Sequence, residues 1–219
     1  LAGDGNVTLV MPQREMGQGI YTALAMLIAE ELDVALEAVK LEEAPADDAL
    51  YGNPIFKVQA TGGSTSVRGY WPVMRKAGAS ARAMLIAAAA RQWHVPAAEC
   101  RTEPGEVVHQ PSGRRLAYGA LAAQAAREPV PADPPLKSPE TFRLIGHSQR
   151  RLDTPHKVDG SLRYGIDAMP EGVRFASLAC APVVGGKVVR VDDRQAKALP
   201  GGQQVLVLDD MVAVVAETS

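Results

Sequence analysis

Two short segments hold residues whose types and spacing could do chemistry. Gly17-Gln18-Gly19 and Thr61-Gly62-Gly63-Ser64-Thr65-Ser66 are rich in glycine, and a run with helical periodicity follows each directly. A helix start carries unpaired N–H groups and the positive end of the helix dipole, so it favours an anion. Glycine lets a ligand come close to the backbone. The Ser and Thr hydroxyls add donors, and the Gln18 amide can donate and accept at once. Two such loops brought together would cradle a large, heteroatom-rich, phosphate-bearing cofactor. Neither fits a nucleotide pattern, since the chain has no G-x-x-x-x-G-K-[ST] and no G-x-G-x-x-G. Taken singly, Gly-Gln-Gly before a helix is usually a turn, and Thr61–Ser66 reads as a helix cap with flexible glycines.

Other reactive side chains carry less. Glu15 stands beside the first loop and could serve as a base, but a carboxylate there also suits the helix start, where it caps or forms an ion pair. Arg68 could pair with a cofactor phosphate or with an acidic neighbour. His94, His109, His147 and His156 are scattered with no ligand spacing. Glu42-Glu43 and Asp47-Asp48 read as solvated loop charges. Cys100 and Cys180 are the only cysteines, too few for an iron–sulfur cluster or a thiolate zinc site, and both are expected to be free and buried.

The elements that must position the loops follow from patterning. Val7–Met11 reads as a strand after the turn Gly3–Asn6. Ile20, Leu24, Leu27, Ile28 and Leu32 recur at helical spacing, and Ala38–Leu41 reads as a strand. Residues 43–56 look like a loop. Met74, Ala77, Ala81, Met84, Leu85 and Ala88 trace a second long helix with Pro72 early in it, where a missing N–H costs least. Residues 106–109 and 114–117 flank Pro111-Ser112-Gly113 as a hairpin, and a short helix follows at 119–127. Five prolines between 128 and 140 mark the best domain boundary. Beyond it come short β-branched runs at Leu162–Ile166, Val173–Leu178, Lys187–Val191, Gln204–Leu208 and Val212–Val215, with a short helix at 192–199. The expected organisation is α+β, with residues 1–128 as a cofactor-binding α/β segment of two long helices on a small sheet. A Pro-rich linker, 129–140, and a second α/β domain, 141–219, follow.

The totals bound the rest. The chain has 219 residues with a formal charge of −2, 47% hydrophobic and 22% charged residues, which fits a globular protein and gives no electrostatic reason to expect nucleic-acid binding. No apolar stretch reaches the roughly 18 residues of a membrane helix. Leu1 in place of Met, and an end just after the apolar run Met211–Ala216, read as an excerpt of something longer.

Glu15-Met16-Gly17-Gln18-Gly19-Ile20-Tyr21-Thr22 resembles the E-M-G-Q-G-x-x-T segment of the molybdenum hydroxylase (xanthine dehydrogenase and aldehyde oxidase) family. Thr61–Ser66, within A-T-G-G-S-T-S-V-R-G, is similar to that family's small-residue loop, in the form found in its isoquinoline 1-oxidoreductase beta-subunit type. Arg143-Leu144-Ile145-Gly146, Arg151, Asp153, Lys157-Val158-Asp159-Gly160 and Tyr164-Gly165-Ile166-Asp167 resemble the opening of the family's α/β hammerhead domain. The resemblance covers nearly the whole chain and is specific in combination.

The resemblance implies that Gly17, Gln18, Gly19, Thr61, Gly62, Gly63, Ser64, Thr65 and Ser66 lie against a molybdopterin, of the cytosine dinucleotide form, carrying molybdenum in the full subunit. It implies hydroxylation of N-heterocycles or oxidation of aldehydes with water as the oxygen source. It also implies a small iron–sulfur partner subunit, contact with the rest of the large subunit, and a lean toward the periplasm over the cytoplasm. The family's glutamate base lies in a G-x-G-E-like motif, and a G-G-F-G segment approaches its metal. Neither occurs here, so the excerpt is expected to be inactive and cofactor-free alone. The alternative is a subunit-interaction or assembly module with the same fold. A chance match to an unrelated α/β binding domain would leave the two glycine loops far apart.

Overall fold

The computed structural model describes residues 1–201 and 204–217. The chain forms two compact units, 1–159 and 160–219.

In the first unit, strand β1 (Val7–Met11) leads into helix α1 (Ile20–Leu32), which returns to β2 (Val39–Glu43). The two strands pair in parallel, Val7 opposite Val39 and Met11 opposite Glu43. The expected loop 43–56 holds one helical turn, α2 (Asp48–Tyr51), because the Asp47 side chain accepts from the Ala49 and Leu50 N–H groups. Helix α3 (Ser66–Trp93) runs through Pro72 near its start. Strands β3 (Cys100–Glu103), β4 (Glu106–His109) and β5 (Arg115–Ala117) form an antiparallel meander, of which sequence patterning finds the last two strands. Helices α4 (Tyr118–Ala125) and α5 (Thr154–Val158) complete the unit.

The core lies between the sheet and helices α1 and α3. Val7, Leu9 and Met11 meet Ile20, Leu24 and Leu27 from α1, and Tyr70, Met74 and Leu85 from α3. Each such large side chain contributes about 1.5–3 kcal/mol by leaving water. The helices approach closely at Gly78, where a Cβ would stand 2.7 Å from the Ile28 carbonyl oxygen and 2.9 Å from Glu31 Cβ.

Three buried acids end α1. Glu31 meets Arg75 at 2.6 Å and Arg82 at 3.5 Å. Glu30 accepts from the N–H groups of Arg143, Leu144 and Ile145 and from Lys137 Nζ. Asp33, in a left-handed conformation at the helix end, is held by Lys137, Arg143 and Thr102. These acids bind Lys137 and residues 143–145 onto α1, and Arg82 donates to the Pro135 carbonyl. The Pro-rich stretch read from sequence as a linker is therefore docked by side chains remote in sequence. The division between compact units falls later, after Asp159.

The second unit holds β6 (Phe175–Cys180), helix α6 (Arg194–Ala198), β7 (Gln204–Val207) and β8 (Met211–Ala216), in an antiparallel sheet of order β6-β8-β7. The runs expected as strands at Leu162–Ile166 and Lys187–Val191 are not strands; the first ends in a 3-10 turn at Gly165–Asp167 closed by Asp167 on the Tyr164 N–H. Registry places Phe175, Val205, Val207, Val212 and Val214 on one face, and Leu178, Leu206, Met211 and Val215 on the other. Ala213 is the one buried apolar residue among the described residues of this unit. Cys180 is exposed and Cys100 half-buried, and both are free. The expectation that both are buried is thus corrected, since β6 lies on a sheet with open faces.

Candidate functional site

The two glycine-rich loops lie side by side because β1 delivers one and the approach to α3 delivers the other. Gln13, directly after β1 and its Pro12, is fully buried. Its Oε1 accepts from Ser66 Oγ at 2.6 Å, and its Nε2 donates to the carbonyls of Ala60 (3.2 Å) and Pro12 (3.1 Å). The next residue, Arg14, donates its N–H to Thr61 Oγ1 at 2.9 Å. Asn53, also fully buried, donates to Thr65 Oγ1 at 2.8 Å and to the Ala60 carbonyl at 3.4 Å. The arrangement expected of a chance match, with loops far apart, is not what the chain adopts. A cleft of about 390 Å³ lies beside this junction, walled by Met11, Arg14, Met16, Ala44 and Gln59, and Thr61 is the one residue of the two loops that lines it.

The first loop does not offer the helix start that its sequence suggests. Gly17 and Gly19 take the positive φ that glycine allows, 101° and 84°. This wraps the chain so that the Glu15 carboxylate accepts from the N–H groups of Gly17 (2.8 Å), Gly19 (2.9 Å) and Tyr21 (3.2 Å). Arg151 clamps the same turn from outside, with Nη2 3.1 Å from Glu15 Oε1 and Nη1 2.9 Å from the Gly17 carbonyl. Burial pushes the Glu15 carboxyl up. The N–H groups of Gly19, Tyr21 and Gly17, with the Arg151 guanidinium, outweigh burial and hold the carboxyl below its ordinary range. Glu15 is thus the anion at the start of α1. A carboxylate so engaged is a poor base, which removes the catalytic option for it. Gln18 also closes on its own loop, accepting from the Met16 N–H and donating to the Arg14 carbonyl.

The second loop is the open one. Gly63 and Ser64 both take positive φ, 58° and 52°, and no side chain caps the start of α3. Among the described residues, no acceptor takes the N–H groups of Gly62, Gly63 and Ser64. A Cβ at Gly62 would meet nothing within 4 Å, as at Gly17 and Gly19. The hydroxyls divide. Thr61 accepts from Arg14, Thr65 donates to the Gly62 carbonyl, and Ser66 donates to Gln13. That leaves Ser64 as the hydroxyl facing outward, so three of the four donors expected from sequence knit the loop together. Arg68 is exposed on the first turn of α3, with no ion-pair partner among the described residues.

Sequence reading missed Gln13 and Asn53. The signal available for Gln13 was an amide directly following an apolar strand. For Asn53 it was an amide between Gly52 and Pro54 in an otherwise solvated loop. Arg151 was noted for its motif alone. No group of three His, Cys, Asp or Glu among the described residues is placed to hold a metal, and no helix among them is long and apolar enough to cross a membrane.

A family model of the molybdopterin cofactor-binding domain matches residues 1–169. The beta subunit of isoquinoline 1-oxidoreductase from Brevundimonas diminuta is 39% identical, over 97% of this chain and 32% of that protein. A membrane-bound aldehyde dehydrogenase of Gluconacetobacter polyoxogenes, whose name specifies pyrroloquinoline quinone, is 34% identical over 98% of this chain and 28% of that protein. A nicotinate dehydrogenase subunit from Pseudomonas putida is 31% identical over 99% of this chain and 18% of that protein. The chain spans about a third or less of the length of these curated relatives.

Proposed function

The chain belongs to the molybdopterin cofactor-binding domain family, and from that premise we propose that it is the portion of a molybdenum oxidoreductase's large subunit that grips the pterin cofactor. The observation that carries the proposal is the convergence of the two loops, tied through Gln13 and Arg14, with the second presenting unused donors. The residues fit an anionic, heteroatom-rich group. Gly62, Gly63 and Ser64 offer N–H groups, Ser64 adds its hydroxyl, the open space over Gly62 admits close approach, and Arg68 supplies unpaired positive charge. In this reading Gly17, Gln18 and Gly19 form a wall of fixed shape beside the cofactor, while Thr61, Thr65 and Ser66 shape the second loop from within.

When bound, the cofactor supplies two-electron redox chemistry with water as the oxygen source. This chain's residues bind and orient it. The substrate is an N-heterocycle or an aldehyde, in line with the names of the relatives. The cofactor form is the cytosine dinucleotide, electrons leave through a small iron–sulfur subunit, and the complex works in the periplasm. Residues 141–219 serve as hammerhead-like support. The base for the reaction comes from the rest of the large subunit, since Glu15 is engaged.

Gly62→Leu in the full-length subunit tests the reading. The new side chain enters open space, so thermal stability should stay at the wild-type value while molybdenum and pterin per chain fall several-fold. Wild-type cofactor content in the variant would contradict it. The name of the aldehyde dehydrogenase relative gives a second cofactor to look for in the same preparation: a quinone chromophore without molybdenum would favour pyrroloquinoline quinone.

A further inference from the structure

We propose that Gln13 is a positioning residue whose buried amide fixes the two cofactor loops relative to each other; the inference rests on the cofactor reading given above. The amide spans what the backbone does not. β1 and β2 pair through Met11 opposite Glu43, and beyond that register the first loop has no ladder to hold it. Gln13 stands two residues past the end of β1. It reaches across to residues 60 and 66, which bracket the whole second loop.

The partners dictate the side chain. The Ala60 and Pro12 carbonyls both demand a donor, and the Ser66 hydroxyl donates to an acceptor. Only an amide of this length offers both from one planar group. Gln13 is fully buried, so losing its amide removes the partner of the Ser66 hydroxyl and of the Pro12 carbonyl, while the Ala60 carbonyl keeps the longer bond from Asn53. Asn53 reinforces the arrangement by donating to the same Ala60 carbonyl and to Thr65. Asn53 belongs to the approach to the second loop, however, and does not reach the first. The crossing between loops rests on Gln13, with the single Arg14–Thr61 bond beside it. Gln13 and Asn53 are both fully buried, so Gln13 acts through the loops and not by touching a ligand.

Two variants of the full-length subunit separate positioning from simple support. Gln13→Glu keeps the shape and the acceptor for Ser66 but turns a carboxylate toward two carbonyls, and Gln13→Met keeps the length without polar atoms. Amide hydrogen exchange is read in cofactor-free protein, and molybdenum per chain is read separately. Both variants should show exchange about tenfold faster at Arg14 and Thr65, whose N–H groups bond Thr61 Oγ1 and the Gly62 carbonyl, as the loss of one or two buried hydrogen bonds implies, with rates at Leu24 and Leu85 unchanged. Molybdenum per chain should fall in parallel. Should either variant fail to fold, Ser66→Ala and Ser66→Thr carry the test. The first removes the hydroxyl that Gln13 accepts from and should free the loop, and the second keeps it and should restore wild-type exchange. Loop rates equal to wild type, or acceleration spread evenly through α1 and α3, overturn the inference. Absence of molybdenum from the wild-type subunit would instead overturn the cofactor reading, and loop exchange would still decide the role of Gln13.

Discussion

At the scale of single residues, the chain satisfies with its own atoms several groups that a sequence reading leaves to a ligand. Glu15 fills the start of α1, so Glu15→Ala should destabilise the protein by about 1 kcal/mol, as loss of a helix cap does, in chemical denaturation at neutral pH. Its carboxyl is held below the ordinary range. The stability it contributes is therefore present above the usual carboxylate pKa and is lost as pH falls below it. Asp153 gives the sharper acid signature. The Arg151 guanidinium, against burial and aided by Lys157, holds its carboxyl down at about 2 from an ordinary 3.8. Its stabilisation should be whole above pH 4 and fade toward pH 2. Asp153→Asn should flatten the dependence of unfolding free energy on pH in that window. An unchanged slope would mean that the Arg151–Asp153 contact at 2.8 Å contributes nothing in solution.

At the scale of elements, patterning recovers what burial writes into the sequence and misses what distant polar groups decide. β1, α1 and α3 show their apolar faces at regular spacing because one side of each meets the core. β3 escapes notice because it is short and half-polar, and its pairing with β4 depends on a hairpin at Gly105. The runs at 162–166 and 187–191 carry strand-like residues but join no ladder among the described residues, the second making a backbone bond from Val188 to the Asp209 carbonyl. The Pro-rich segment looks detached until Glu30, Glu31 and Asp33, spread along the end of α1, are seen to bind it. Nothing local marks these acids as buried. Removing one should be costly: Glu31→Gln leaves Arg75 without its carboxylate and is expected to lose about 3–5 kcal/mol, read as a fall in denaturation midpoint. Gly78→Ala should cost about 1–3 kcal/mol, since it drives a methyl into the Ile28 carbonyl, and a neutral result would show that α3 slides freely along α1. The site was legible to a similar degree. Its loops are visible as glycine runs, whereas the Gln13 amide that joins them belongs to no motif and becomes visible only when residues 13, 60 and 66 are adjacent.

At the scale of the whole molecule, the chain holds in its first unit two glycine-rich loops joined through Gln13 and Arg14 and, in its second, a sheet that is apolar on both faces. Val207, Leu178 and Leu206 are exposed in that second unit, so the 219-residue chain on its own should bind a hydrophobic dye strongly and be free of molybdenum. The family assignment and the paired loops point to one cofactor, and one measurement addresses that most directly. The native polypeptide that contains this sequence should be captured from its source, and molybdenum and pterin per chain determined together with its intact mass. The expected result is a chain well above 23.2 kDa with stoichiometric molybdenum and pterin. A native chain without either, whatever its mass, would contradict it and leave a fold serving subunit interaction or assembly.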